Sequence, residues 1–581
     1  MLGISHRLLK PALAAAGAAA LAGGLSPAAN ASAHRWVSTH TQALHLDGTL
    51  LGRAPARQRL EISAVLPLRN QAQINRLIES RTVLSHSQVL ARFSPRTSTT
   101  RTVSRYLKQH GFTDISISGN RLLVSGRATV AEAERAFDTK IDSYRLNGHI
   151  VYVNAAAARV PATLSGDVRA VIGLSDVPTG VPKVAAPAAP KLTPGISTPA
   201  VPYTGGFTPK AVANAYDDAS MQAAKNTTVA VIASGDMTST IADLRYAEKE
   251  FGFSQVPVNV IYDGPEAGIV NDNPLTGNLE WDLDTQYSTM VPKAVKALDI
   301  YDVGTFTDSE VARGINLFVS QDRANLLSAS LGECDYIAFL DGAMLTTDEV
   351  LAQGALQGQS MFASTGDNGY ACPEVVSSGV PEGPPGVSWP SDGYYTTGVG
   401  GTTLLADQNG NVEDEIAWIG GGGGVSPWES APPWTLQANG AGQSWQYTNQ
   451  GGRSVPDVSA VADENTPVLV YDSTSGSPTG VGGTSVASPV TMGLFASVQS
   501  VHRNSLGLAS YDFYSLYNKV NPATVESGPL GPTYVPAANP SPVTGFRDIT
   551  LGTNGGCVAR AGYDYCSGIG SLQSAALSGA L

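Results

Sequence analysis

The chain has 581 residues, 42% hydrophobic and only 15% charged, which is too long for one ordinary domain and too apolar for extended disorder. Residues 1–199 carry 23 Lys and Arg against 10 Asp and Glu, whereas residues 200–581 carry 13 against 39. A basic front beside an acidic back is the pattern of two parts that attract one another.

In chain order, Arg7 and Lys10 precede an alanine-rich apolar run that ends in Ala31-Ser32-Ala33, a small-x-small cleavage signal. Residues 1–33 therefore read as a secretory signal peptide, and the mature product is expected to be secreted and extracellular. That expectation argues against nucleic acid as the partner of the basic front. No later run is apolar and charge-free enough to suggest a membrane span.

Residues 34–175 read as a small α/β domain. A strand at Leu60 to Leu66 precedes a helical stretch from Gln71 to Arg81, and a second helix fits Thr99 to Gly111, with Gly111 as its stop. Asp114 to Ile117 and Arg121 to Gly126 alternate like two strands about a Gly119-Asn120 turn, Thr129 caps a helix through Phe137, and two strands turn at Asn147-Gly148. Residues 176–203, rich in Pro, Ala, Val and Lys without amphipathic period, form an extended linker open to cleavage. From 204 to 581, buried-strand runs such as Thr228 to Ala233, Leu326 to Ser330, Met361 to Ser364 and Thr397 to Gly400 alternate with helical stretches. This βαβ rhythm predicts a parallel sheet covered by helices, with any active site beyond the C-terminal ends of its strands.

Of four cysteines, Cys334 and Cys372 make one candidate pair and Cys557 and Cys566 the other. Export favours disulfides, and without a CxxC spacing zinc is not expected, although four cysteines permit three pairings.

The strongest chemical signal is Gly482-Gly483-Thr484-Ser485-Val486-Ala487-Ser488-Pro489. A serine at the start of a buried helix sits at the positive end of the dipole, where developing negative charge is favoured. The same residues also suit a plain helix cap. A nucleophilic serine needs a base, and of the eight histidines only His502 lies beyond the linker, after the serine on the same segment. A histidine supplied from a separate element is excluded, so a carboxylate must serve. Glu280-Trp281-Asp282-Leu283-Asp284 offers Glu280 and Asp284 on one helical face, close enough to share a proton. It also fits a solvated acidic face. Asp367, in Gly366-Asp367-Asn368-Gly369 after an apolar strand, is either a turn residue or a protonated carboxyl aimed at an oxyanion.

Together Glu280-x-x-x-Asp284, Gly-Asp367-x-Gly and Gly-Thr-Ser485 resemble the sedolisin family of serine-carboxyl peptidases, kumamolisin-like members in particular. Val399 to Thr402, the glycine run 420–424 and Arg453 to Ala460 extend the resemblance, and the front domain, with Phe93-Ser94-Pro95, looks like that family's activation propeptide. The resemblance implies a subtilisin-like α/β fold behind a ferredoxin-like propeptide that inhibits its own chain. It assigns Ser485 as nucleophile, Glu280 as base, Asp284 as its orienting partner and Asp367 as oxyanion stabiliser, acting on protein or peptide substrates. It also implies one Ca2+ held by Asp548, Asp564 and the carbonyls of Ile549, Arg560 and Gly562, an oxygen-rich cage for a hard cation. The further Glu and Trp of some kumamolisin-like members are replaced by Ala233 and Leu331, which leaves an extended proton network without its usual members.

The expectation is a self-processing acid endopeptidase zymogen, monomeric after activation and cut within the linker near 190–202. A tripeptidyl peptidase, an inactive peptide-binding homologue and a pepsin-like aspartic peptidase are the alternatives, the last weakened by the absence of Asp-Thr-Gly.

Overall fold

The structure, a computed structural model, describes residues 35–581 except 47, 147, 179–202, 265–266, 270–277, 373–385, 440–450, 474–475 and 529–530. The expected signal peptide, the cleavage stretch of the linker and Asn147 of the expected turn lie outside the described residues. Trp36–Leu581 forms one compact unit.

The front domain is built on a four-stranded antiparallel sheet. Its strands run in the order Thr113–Ile117, Leu123–Thr129, Arg59–Val65, Ala170–Ile172. Period-2 alternation splits its side chains between two faces. Leu60, Ile62, Ala64 and Val124 meet Val103, Leu107, Ala133 and Phe137 from the helices Thr97–Gln109 and Val130–Phe137. A capping box starts the second helix, Thr129 accepting the Glu132 N–H while Glu132 takes the Thr129 N–H at 2.8 Å. The expected Gly119-Asn120 turn closes by an Arg121 N–H bond to the Ser118 carbonyl at 2.8 Å, and Arg121 carries the positive φ of 67°. Asn120 is instead buried, its amide bonding Asn316 Oδ1 at 2.7 Å.

The other sheet face is also apolar. Val65, Leu123, Ala170 and Ile172 pack on Ala312 and Leu345, which belong to the helices Asp308–Gln321 and Ala343–Leu356 of the back part. Leu68, Ile74, Ile78, Leu84, Val89 and Phe93 join the large core of the back part. Polar bonds frame this contact. Leu68 N–H donates to Glu349 Oε2 at 2.8 Å, Arg81 Nε lies 2.8 Å from Asp512 Oδ1, and Gln71 donates to Glu349 Oε1 at 2.7 Å.

The back part is a helix-covered sheet. Its strands follow the order Val258–Asp263, Val295–Val303, Ala224–Ser234, Leu326–Ala329, Ser360–Ser364, Thr396–Ala406, Val412–Ala417, with Val458–Val461 also pairing on Thr396–Ala406. All pairings are parallel except that of Val412–Ala417. The first strand, Ala224–Ser234, lies between strands that enter on opposite sides, so the sheet has a switch point where its C-terminal ends diverge. The mixed, mainly parallel α/β architecture expected from the βαβ rhythm is the one observed. The disulfides are Cys334–Cys372 and Cys557–Cys566, with Cα separations of 5.2 and 5.9 Å.

Candidate active site

Two buried helices meet beyond the strand ends. Asn278–Met290 carries Glu280 and Asp284, and Thr484–Val501 begins one residue before Ser485. Gly493 lets them approach, because a Cβ there would lie 3.0 Å from Pro292 Cδ and 3.2 Å from the Tyr287 carbonyl oxygen. The Tyr287 hydroxyl fixes the first helix, lying 2.9 Å from each of the carbonyl oxygens of Phe207 and Leu469 and donating to one of them at a time. Trp281 stacks on Phe306 with ring centroids 5.3 Å apart.

Glu280 and Asp284 share one face, as their i,i+4 spacing predicts, and both are buried with Ser485. Burial pushes the Glu280 carboxyl well above its usual range. The Asp284 charge adds to the rise, the nearby Ser485 hydroxyl opposes it, and Asp367 adds a further small rise. The Ser485 hydroxyl and the Glu280 oxygens are thus neighbours, yet they do not complete a hydrogen bond of full geometry in this state. Asp284 is likewise raised by burial, against the bond it receives from Ser330 at 2.6 Å.

Asp282 faces the opposite way and meets Asp243 and Asp472, one oxygen of each lying within 4.8 Å of the others. It takes no part in the Ser485 group.

Asp367 follows the strand Ser360–Ser364 and approaches the start of the Ser485 helix from the other side. Thr484 N–H and Oγ1–H both donate to its Oδ1, at 2.7 and 2.8 Å, while Gly366 N–H donates to Thr484 Oγ1 at 3.0 Å. Burial lifts the Asp367 carboxyl to about 6. His502 caps the far end of the Ser485 helix, about 25 Å away at the helical rise of 1.5 Å per residue.

Two residues here escaped the sequence reading. Thr484 looks like a helix cap in sequence but serves as the ligand of Asp367. Ser330, in a bland Ser-Leu-Gly after its strand, bonds Asp284 and also lies 3.3 Å from the Ser485 carbonyl oxygen. Ala233 and Leu331 are both fully buried.

In the C-terminal loop, Asp548 is tied to Gly562 and Asp564 to Arg560. Asp548 accepts the Gly562 N–H at 3.0 and 3.2 Å, and Asp564 Oδ2 accepts the Arg560 N–H at 2.8 Å. Asp564 Oδ1 accepts from Cys566 and Ser567 N–H, each at 2.9 Å. Among the described residues no cationic side chain acts on either carboxylate, and carboxylates with backbone carbonyls are the oxygen donors a hard cation takes. Cys557 and Cys566 cannot add thiolates, being joined to one another.

The "Pro-kumamolisin, activation domain" family matches residues 47–177. Sedolisin from Pseudomonas sp. (strain 101) is 32% identical over 593 residues, covering 96% of this chain and 93% of its own length. Xanthomonalisin from Xanthomonas sp. (strain T-22) is 28% identical, covering 94% of this chain and 68% of its own. The solved structure of Pseudomonas sedolisin with two molecules of pseudo-iodotyrostatin superposes with a TM-score of 0.55 at 31% identity, over 65% of this chain and 98% of that one. With a serine at a helix start facing a buried carboxylate pair, and an activation domain in front, the chain belongs to the sedolisin family of serine-carboxyl peptidases.

Proposed function

We propose that this peptidase is a secreted, self-processing acid endopeptidase in which Ser485 is the nucleophile, Glu280 its general base, Asp284 the partner that orients Glu280, and Asp367 the acid at the oxyanion. The observation that carries the reading is the placing of Ser485 at a helix N-terminus, beside Glu280 and next to Thr484, which holds Asp367.

In the acylation step, Ser485 Oγ attacks the peptide carbonyl carbon while its proton passes to Glu280. Asp367, protonated, donates from its remaining oxygen to the oxygen that becomes negative. The proton on Glu280 then goes to the leaving amine, and water repeats the sequence to free Ser485 from the acyl group. Glu280 and Asp284 titrate as a pair, and the working form is the one that has lost its first proton. Burial raises both carboxyls, so the pair loses its first proton at a higher pH than free carboxyls would.

Activation within the linker requires cutting an internal bond, which supports the endopeptidase mode. A tripeptidyl peptidase needs a free N-terminus on its substrate. Cleavage of N-terminally blocked peptides tests this point. The leader pattern at 1–33 and the two disulfides support export. Calcium is proposed for the loop of Asp548, Ile549, Arg560, Gly562 and Asp564, where it would neutralise two carboxylates and brace the chain.

The deciding experiment is the full-length chain carrying Ser485→Ala at acidic pH. It is expected to stay uncut while the wild type processes itself. Self-processing by the variant alone would overturn the nucleophile.

A further inference from the structure

We propose that Ser330 is a positioning residue that serves both protonation states of Asp284, and that Pro489 makes this possible by freeing an acceptor on Ser485. The inference rests on the proposed roles of Ser485, Glu280 and Asp284.

The reason begins in the helix Thr484–Val501, which contains Pro489. In a helix the carbonyl of residue 485 accepts from the N–H of residue 489, but proline has no N–H to give. The Ser485 carbonyl therefore has capacity for another donor, and Ser330 Oγ lies 3.3 Å from it. The same hydroxyl lies 2.6 Å from Asp284 Oδ1. A hydroxyl has one proton to donate and two lone pairs to accept with, so it cannot donate to both at once.

The two acceptors thus correspond to two states. With Asp284 ionised, Ser330 donates to Asp284 Oδ1 and the Ser485 carbonyl waits. With Asp284 protonated, the carboxyl O–H donates to Ser330 Oγ, and the Ser330 proton turns to the Ser485 carbonyl. No atom is added or lost between these states except the one proton on Asp284. Both are hydrogen-bonded in a place where an unmade bond is costly.

The surroundings make this matter. Ser330, Asp284 and Ser485 are almost wholly buried, and Asp284 Oδ2 finds no partner among the described residues. The titratable groups facing the pair are Glu280 on the same helix and Asp367 across from Glu280, and none of the three carboxylates forms an ion pair among the described residues.

The test compares activated wild type with Ser330→Ala, Ser330→Cys and Ser330→Thr, the linker being cut in trans by wild-type enzyme where a variant does not process itself. Ser330→Ala is expected to lower kcat about tenfold with little change in KM. Loss of the donor to ionised Asp284 also moves the acid limb of the kcat/KM profile upward, by about one pH unit. Ser330→Cys keeps the size with a poorer donor and shifts the limb the same way, so the inference stays testable if the alanine variant does not fold. Ser330→Thr, which restores the hydroxyl, returns the limb toward wild type. An acid limb unmoved in both Ala and Cys variants overturns the role of Ser330. The underlying site reading fails separately, through activity retained by Glu280→Gln or Asp284→Asn.

Discussion

Thr484 and Asp367 are joined twice at one oxygen: the Thr484 amide and hydroxyl both donate to Asp367 Oδ1, at 2.7 and 2.8 Å. The second carboxyl oxygen, Oδ2, is thereby left turned toward Gly483, where a Cβ would lie only 2.8 Å from it. An acid held in this way has one oxygen engaged as acceptor and one able to carry a proton outward. Its carboxyl is raised to about 6 by burial, against the two Thr484 bonds. Activity that needs protonated Asp367 is full below that value and falls as pH rises through it. The kcat/KM profile is expected to show an alkaline limb near 6. Asp367→Asn keeps a donor but not a titration, and the limb is expected to vanish or move while acylation slows by about 10²-fold. A limb unchanged in Asp367→Asn assigns it to another group.

Gly483 gives a second prediction from the same corner. Its φ is 112°, a backbone setting that side chains rarely adopt, and the contact with Asp367 Oδ2 leaves no room for a methyl group. Gly483→Ala is expected to displace Asp367 or the helix start and to lower kcat/KM by at least about 10²-fold. The readout is active-site titration measured alongside Tm. Loss of activity at nearly unchanged Tm is the expected result.

How far the sequence led is plain from these residues. The strands of the parallel sheet were legible because they are short, mostly apolar runs buried on both faces. The helical spacing of Glu280 and Asp284 was legible because i,i+4 holds wherever a helix forms. Arg121 was not legible as the left-handed turn residue, since Gly119 and Asn120 beside it are better suited. Asn120 is diverted by its bond to Asn316, a partner almost two hundred positions away. Ser330 was hidden for a similar reason. Its value depends on a carbonyl freed by Pro489, 159 positions later, and only the meeting of strand end and helix shows it.

The front domain makes a third prediction. Asp512 is fully buried and its cation is Arg81, from the front domain, which is partly exposed. Burial raises the Asp512 carboxyl to about 6 and Arg81 restrains the rise. Arg81 opposes that rise, so the Arg81–Asp512 ion pair acts only where Asp512 is ionised, above about pH 6, and is lost as pH falls through that value. Arg81→Ala is expected to weaken docking by about 1–2 kcal/mol at neutral pH, less than for a fully buried pair because Arg81 is partly solvated. The midpoint pH of self-processing should move upward. A midpoint identical to wild type removes Arg81 from the acid response.

Calcium supplies a fourth. A cation bound only by the folded loop stabilises by RT ln(1 + [L]/Kd), about 2.7 kcal/mol at a hundredfold excess over Kd. A chelator is expected to lower Tm, and Asp548→Ala to lower it equally and abolish the chelator's effect. A chelator that leaves wild-type Tm unchanged rejects the site.

Stability against pH gives the fifth, with a sign opposite to that of an ordinary ion-paired protein. Asp302 is raised to about 7, chiefly by burial, and Asp335 to about 7 for the same first reason. Asp282 is raised to about 9 by burial and by the charges of Asp243 and Asp472. A carboxyl whose folded pKa exceeds its unfolded value of about 3.9 binds its proton more tightly when folded. Each such group contributes stability that is fully present below about pH 4 and lost as pH rises through the folded values, from 7 for Asp302 and Asp335 to 9 for Asp282. The inactive Ser485→Ala chain should therefore melt at lower temperature at pH 8 than at pH 5. Asp282→Asn, which mimics the protonated carboxyl in shape and removes its charge, is expected to flatten this decline. A decline of undiminished slope in Asp282→Asn would place the pH sensitivity in other buried carboxyls, with Asp302→Asn the next variant to measure.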